Sequence, residues 1–339
     1  MLCCPNCFND VGLRREIIPQ RSSEDGNCPN CKSENMPLVE ARSLADYFEL
    51  LIGIYVEAEH GETLVSWLKR DWLLFTHENI SIAQSKEILT EILDDGEIVR
   101  KTFDISEQCK THNAERWHKL KHELMHVNRY FPDSDFDSDR LEFLLSNLIL
   151  DQHPEQWFRA RREKGHETIA LEKMGAPPEK LASHGRANPA GIPYLYLAST
   201  KETAIAEVRP HPGERVCVAT FSLGHETKIV DLRQPRTRIS PFLLEDEGEI
   251  ALMRGDIEFL EILGKELATP VVPTETATSY IPSQFLCEFI KKCGFDGVAY
   301  GSAISGGMNL ALFRSELANP ESIDEFDVTG MKVEYTAVE

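Results

Sequence analysis

The stretch Ala198-Ser199-Thr200-Lys201-Glu202-Thr203-Ala204-Ile205-Ala206-Glu207-Val208 decides how the second half of this chain is read. Ser199 and Glu202 have the S-x-x-E spacing of a capping box, which predicts a short helix from about Thr200 to Val208. Ala204, Ile205, Ala206 and Val208 cover nearly the whole circumference of its last turns, and a helix apolar on all sides is ordinarily buried. Glu207 is the lone acid at their centre. Burying even a neutral polar group without a partner costs about 2–7 kcal/mol. Glu207 therefore either snorkels out at the helix end or faces a cleft where its charge has a use. The all-apolar surroundings favour the cleft, with the carboxylate sequestered beside a cavity.

Around this helix, short apolar runs alternate with turns. Strands are expected at Trp157–Arg161, Tyr194–Ala198, Val216–Phe221, Lys228–Asp231, Gly297–Tyr300 and Asn309–Phe313, with a terminal strand at Val328–Thr336. Helices are expected at Glu247–Leu267 and Ser283–Cys293, the latter closed by Gly294. Strands and helices without regular βαβ alternation predict an α+β fold with a mixed β core in the C-terminal half.

Upstream the pattern is helical. Leu44, Tyr47, Phe48, Leu51 and Tyr55 recur at three- and four-residue steps, and similar spacing runs through Ile82–Leu93, Trp117–Phe131 and Leu141–Leu150. Asp94-Asp95-Gly96 and the cluster from Pro132 to Asp135 break it. An all-α bundle is expected there. His122-Glu123-Leu124-Met125-His126 matches H-E-x-x-H, which on a helix can set two imidazoles on zinc beside a glutamate base. The charged Lys119 and Lys121 on the same segment favour an exposed amphipathic helix instead.

The first 40 residues differ again. Cys4-Pro5-Asn6-Cys7 and Cys28-Pro29-Asn30-Cys31 are twin knuckles whose four thiolates have the spacing of a closed, tetrahedral zinc site, with Cys3 the alternative to Cys4. A structural zinc on Cys4, Cys7, Cys28 and Cys31 is expected to fold a small ribbon. The expected domains are 1–40, a zinc ribbon; 41–152, a helical bundle; and 153–339, the α+β domain.

With 339 residues the chain can build more than one core. Its formal net charge of −20 opposes binding to nucleic acid. No run of 18 apolar residues spans a membrane, and the N-terminus lacks the basic and apolar regions of a secretory signal. Nine cysteines, five of them within the first 31 residues, suit a metal site in reduced cytoplasm rather than a disulfide framework.

Several C-terminal features converge on one chemistry. Arg159, within Arg159-Ala160-Arg161-Arg162, lies in an apolar strand where a guanidinium needs an anion. Tyr196 ends the strand that feeds the Glu207 helix. Ser302 follows another strand in a Gly/Ser loop, and Asn309 opens the next strand. Without a histidine base these groups do not make a hydrolytic triad. They suit a ligand carrying phosphate, an aromatic ring and ribose hydroxyls.

The segment Gly185–Ala198, Glu207 and the stretch Gly297–Asn309 together resemble the RES domain family over about residues 154–316. The family's arginine, glutamate and serine fall on Arg159, Glu207 and Ser302. Arg161 competes with Arg159, and the stretch between Glu207 and Ser302 carries an acidic helical insertion near Glu245–Glu266. The helical segment resembles the HEPN-like regions attached to some RES proteins. The resemblance implies an ADP-ribosyltransferase-like fold, NAD as substrate, and a growth-arresting toxin or defence effector in a toxin–antitoxin pair. Glu207 would then stabilise the oxocarbenium left when the nicotinamide–ribose bond breaks. Arg159, helped by Arg161, would hold the pyrophosphate. Tyr196 would stack on nicotinamide and Ser302 would orient ribose. Tyr280 either stacks on adenine or, as such a ring more often does, packs against the protein, while Arg186 and Asn188 either line the pocket or shape a turn. Water, phosphate or a protein side chain is the acceptor, so NAD glycohydrolase, phosphorylase and ADP-ribosyltransferase all fit, as does a degenerate nucleotide- or partner-binding module. An antitoxin or regulatory protein is the implied partner, and a homo-oligomer is the other assembly considered.

Overall fold

The structure of the chain, a computed structural model, describes residues 1–109, 112–134, 136–163, 169–270 and 276–330. It divides into two units: Met1–Glu115 with Gln234–Glu261, and Arg116–Arg233 with Ile262–Glu339.

In the first unit, β1 (Leu2–Cys3), α1 (Ile18–Arg21), β2 (Glu24–Gly26) and β3 (Met36–Glu40) surround the cysteine knuckles, the strands pairing antiparallel in the order β1-β3-β2. Next come α2 (Ala45–Ile52), β4 (Tyr55–Thr63), α3 (Leu64–Trp72), α4 (Ile82–Leu93) and β5 (Thr102–Ile105). The segment expected to be wholly helical thus also holds the antiparallel pair β4–β5. Tyr55, assigned above to a helix face, instead opens β4, just past Gly53 where α2 ends. Its hydroxyl donates to Asp71 Oδ2 and accepts from Trp72 Nε1, both at 3.0 Å. Local periodicity could not reveal a strand whose pairing partner lies nearly fifty residues downstream.

The boundaries expected at residues 40 and 152 do not coincide with those of the units. Phe8, beside the first knuckle, packs on Phe48 and Phe75 with ring centroids 5.7 Å apart, and Phe48 packs on Phe242 at 4.9 Å. The stretch 234–261, which holds most of the helical insertion expected near Glu245–Glu266, belongs to this first unit. Its Arg254 makes a bidentate pair with buried Asp71, at 2.7 and 3.1 Å. Losing either partner would strand a buried charge.

Asp10 in this unit is buried, and its Oδ1 accepts the Leu13 N–H and the Ser240 hydroxyl at 2.8 Å each. Burial outweighs these bonds and pushes the carboxyl up from 3.8 to about 6. Between those values the folded chain holds a proton that the unfolded chain has lost. Stability therefore falls as pH rises through this window, by about 3 kcal/mol in all. The stability difference between Asp10→Asn and wild type is expected to be constant above pH 7. It should shrink by roughly that amount toward pH 4, as read by denaturant titration. A difference independent of pH would show that Asp10 titrates as an ordinary carboxylate.

The second unit contains most of α5 (Asn113–His126), then α6 (Ser138–Ser146), β6 (Trp157–Arg162), β7 (Leu195–Ala198), α7 (Lys201–Glu207), β8 (Arg215–Leu223) and β9 (Ile229–Asp231). After α8 (Glu247–Ala268), which ends in this unit, come α9 (Thr276–Ser279), α10 (Ile281–Lys292), β10 (Gly297–Gly301), β11 (Met308–Leu312) and β12 (Ala318–Asp327). The strands form one seven-stranded sheet in the order β12-β8-β6-β7-β11-β10-β9, antiparallel except between β10 and β9. The fold class is α+β with a mixed β core in the C-terminal half, as expected.

Strand alternation divides the apolar side chains between two faces. Trp157, Leu197, Cys217, Ala219, Phe221 and Leu310 belong to one core; Ala160, Ala198, Val216 and Val218 pack with Ala204 of α7 on the other. One edge strand is β12, paired with β8 about a hundred residues earlier, which the sequence did not signal. The strand expected at Val328–Thr336 falls largely on residues 331–336, which lie outside the described residues. Asp135 of the expected turn also lies outside the described residues. Among the described residues no helix is long and apolar enough to cross a membrane.

Candidate active site

The helix read from Ala198–Val208 is present as α7, with a different cap. Thr200 is its N-cap and accepts the Thr203 N–H at 3.1 Å. Ser199, expected to cap, accepts instead the Met308 N–H at 3.0 Å and so ties β7 to β11. Thr203 and Ala204 are the buried residues of the helix. Glu207 is exposed, against the expectation of a sequestered carboxylate. It is the last residue of the helix.

Exposure does not leave Glu207 loose. Its Oε1 accepts from Ser302 Oγ at 2.7 Å and from Asn309 Nδ2 at 2.6 Å. Ser302 is oriented in turn: its Oγ accepts the N–H groups of Ile304 and Ser305, each at 3.2 Å. Ser305 Oγ donates to Thr203 Oγ1 at 2.9 Å, drawing the loop onto α7. A side chain at Gly307 would strike Thr203 Oγ1, so the close approach requires glycine there.

Glu207 borders a cavity of about 570 Å³ lined also by Arg159, Arg186, Tyr196, Arg209, Tyr280, Tyr300 and Asn309, a size suited to a nucleotide-sized ligand. Sheet register explains the grouping. Tyr300 pairs with Asn309, Asn309 with Ala198, and Ala198 with Phe158, one rung across four strands. The pair Phe158–Ala198 is the one register pair between β6 and β7, so the ladder opens beside it.

Arg159 sits next to that opening. Its buried Nη1 has no hydrogen-bond partner, and burial, aided by the Arg161 charge, lowers the guanidinium to about 10. An orphaned donor of this kind asks for an acceptor from a ligand. Arg161 does not line the cavity. It is exposed, and its Nη1 donates to the Lys173 carbonyl.

Tyr196 offers its ring to the cavity while its hydroxyl is engaged elsewhere, donating to Asn188 Oδ1 at 2.7 Å and accepting the Ala187 N–H at 3.0 Å. Burial pushes this phenol well above its ordinary value. Asn188, between the two readings given for it, shapes the turn: its Nδ2 donates to the carbonyls of Ser183, Pro189 and Ile192. A side chain at Gly185 would meet Asn188 Oδ1 and the Tyr196 hydroxyl. Arg186 lines the cavity, but its Nη1 is held by the carbonyls of Leu267 and Thr269.

Two polar lining residues, Tyr300 and Arg209, were not among those expected from the sequence. Tyr300 lies two positions before Ser302 on a strand, a spacing that could have revealed it. Arg209 lies two positions after Glu207, past the helix end.

The knuckles converge. The sulfurs of Cys4, Cys7, Cys28 and Cys31 all lie within 4.8 Å of one another in a buried cluster that can hold a metal ion. Cys4 and Cys31 are 3.3 Å apart and Cys7 and Cys28 3.4 Å, near the ~3.8 Å edge of a tetrahedron with Zn–S bonds of about 2.3 Å. His122 and His126 join no such cluster among the described residues. Glu123 between them accepts the N–H groups of Asp133 and Ser134.

Comparison with known proteins gives one family: the RES domain model matches residues 156–329. No curated protein matches the chain. Among solved structures, the M. tuberculosis MbcT–MbcA toxin–antitoxin complex is similar at a TM-score of 0.34 and 14% identity, over 55% of this chain and 91% of that one.

Proposed function

This chain belongs to the RES domain family, and from that premise we propose that it is an enzyme cleaving the nicotinamide–ribose bond of NAD. The observation that carries the reading is the Glu207 carboxylate, fixed by Ser302 and Asn309 at a cavity into which Arg159 brings an unpartnered cation. When the bond from ribose C1′ to the pyridinium nitrogen breaks, its electron pair leaves with neutral nicotinamide and C1′ becomes cationic. Glu207 stabilises that cation, and its two fixed donors keep the carboxylate from turning away. Arg159 binds a phosphoryl oxygen of the ADP portion. The rings of Tyr196, Tyr280 and Tyr300 supply flat apolar walls for nicotinamide and adenine. Purified protein incubated with NAD is expected to yield free nicotinamide on product chromatography. Intact NAD after long incubation would refute the reading.

The exposure of Glu207 favours a second reading of the acceptor. A protein side chain, and not only water or phosphate, can reach the reacting carbon from solvent, so transfer of ADP-ribose to a protein stays within the proposal. Label from adenine-labelled NAD appearing on protein would assign that route. At the knuckles we propose a closed structural zinc on Cys4, Cys7, Cys28 and Cys31. A growth-arresting role, held in check by an antitoxin or other regulatory protein, completes the proposal.

A further inference from the structure

Arg209 occupies a position that suits glycine. Its N–H donates to the Ala206 carbonyl at 3.0 Å just past the end of α7, and its φ is +47°. The left-handed residue that closes a helix is usually glycine, because a Cβ is crowded there. Pro210 follows, and a residue before proline is ordinarily extended. The chain thus keeps a long cationic side chain where its backbone would be easier without one. Conformational strain of this kind concentrates at functional sites.

That side chain has no compensating structural role. Arg209 is exposed, lines the cavity, and its guanidinium has no hydrogen-bond or ion-pair partner among the described residues. The other cavity arginines differ from it. Arg186 is held by two carbonyls, and half-buried Arg159 brings a buried Nη1 beside the opening in the sheet. Against a chain of net charge −20, a cavity lined by three arginines and one glutamate is a local site for anions. Its two unpartnered cations lie at different depths, Arg159 half-buried with its Nη1 inside and Arg209 at the solvent side.

Resting on the NAD-cleaving reading, we infer that Arg209 is a specificity-determining residue: its guanidinium takes a phosphoryl group of the substrate at the cavity mouth and selects the dinucleotide over its unphosphorylated nucleoside. Arg159 and Arg209 then grip the charged linker from inside and outside, leaving the uncharged rings to the tyrosines.

Arg209→Gly tests this, because glycine relieves the backbone and removes only the side chain. The variant is expected to fold with an unfolding midpoint at or above that of wild type. Its KM for NAD should rise about 10- to 100-fold, the loss of one or two charge-assisted bonds, with kcat nearly unchanged. Cleavage of nicotinamide riboside should be unaffected, and Arg209→Lys should recover part of the loss. Calorimetry gives a readout independent of turnover: ADP-ribose should bind the variant more weakly by a similar factor, and adenosine equally well. Wild type that leaves NAD intact refutes the cleavage reading but not this one, provided ADP-ribose binding still depends on Arg209. Unchanged KM and unchanged ADP-ribose affinity in Arg209→Gly overturn the inference alone. A changed dependence on inorganic phosphate with an unchanged KM for NAD overturns it as well, since the anion held would then be the acceptor.

Discussion

Glu207→Gln is expected to lower nicotinamide release from NAD by about 10²- to 10³-fold, the usual cost of removing one fixed charge-stabilising group from an active site. The substitution is nearly isosteric, and the amide oxygen can still accept from Ser302 and Asn309, as the carboxylate does at 2.7 and 2.6 Å. What disappears is the negative charge facing C1′ as the bond to nicotinamide breaks. Because Glu207 is exposed and caps no core, the thermal unfolding midpoint should barely move. Removing a group used only in the transition state lowers kcat and kcat/KM together. The KM for NAD should therefore stay close to wild type, opposite to the pattern expected of Arg209→Gly. Turnover at the wild-type rate in Glu207→Gln would take the carboxylate out of the chemistry.

Cys28→Ser should have the largest effect on folding. Cys4, Cys7, Cys28 and Cys31 are all but inaccessible, and their neighbours Phe8 and Phe48 belong to the aromatic core of the first unit. A four-thiolate zinc contributes about 10–16 kcal/mol to the folding of small zinc modules, comparable to or greater than the roughly 5–15 kcal/mol that holds a whole domain. Wild type is expected to carry one zinc per chain by metal analysis. The variant should lose it, and amide exchange should show residues 1–40 unprotected, with loss of protection spreading to the helices around Phe48 and Phe75. Wild-type protein without metal, or a Cys28→Ser variant as stable as wild type, would remove the ion from the account of folding. Cys3 is adjacent and buried, so Cys3→Ser serves as the control that should keep the zinc.

Several elements were readable because their signals are local. The C-P-N-C repeats gave the four-cysteine cluster, since spacing alone brings two sulfurs to each turn. The core strands at Trp157, Tyr194, Val216, Gly297 and Asn309 follow from short apolar runs bounded by turns. Other assignments failed where the deciding partner is distant in sequence. Thr200 rather than Ser199 caps α7, because Ser199 is engaged by Met308 more than a hundred residues away. Tyr55 joins a strand whose mate begins at Thr102. Arg161 and Asn188 carry suitable chemistry, but the Lys173 carbonyl and the Gly185–Ile192 turn claim them.

By itself, the sequence determined the chemical inventory: a four-thiolate cluster, an α+β second half, and an arginine, a glutamate and a serine on separate elements. Those properties depend on spacing and composition within a few residues, where physical chemistry leaves few choices. Only the tertiary structure decided that Glu207 stands in the open and is fixed by two donors, that Arg159 keeps an unanswered nitrogen inside, and that Arg209 joins them. Each depends on which strands become neighbours and where their ladder opens, and that is settled by packing between residues far apart in the chain.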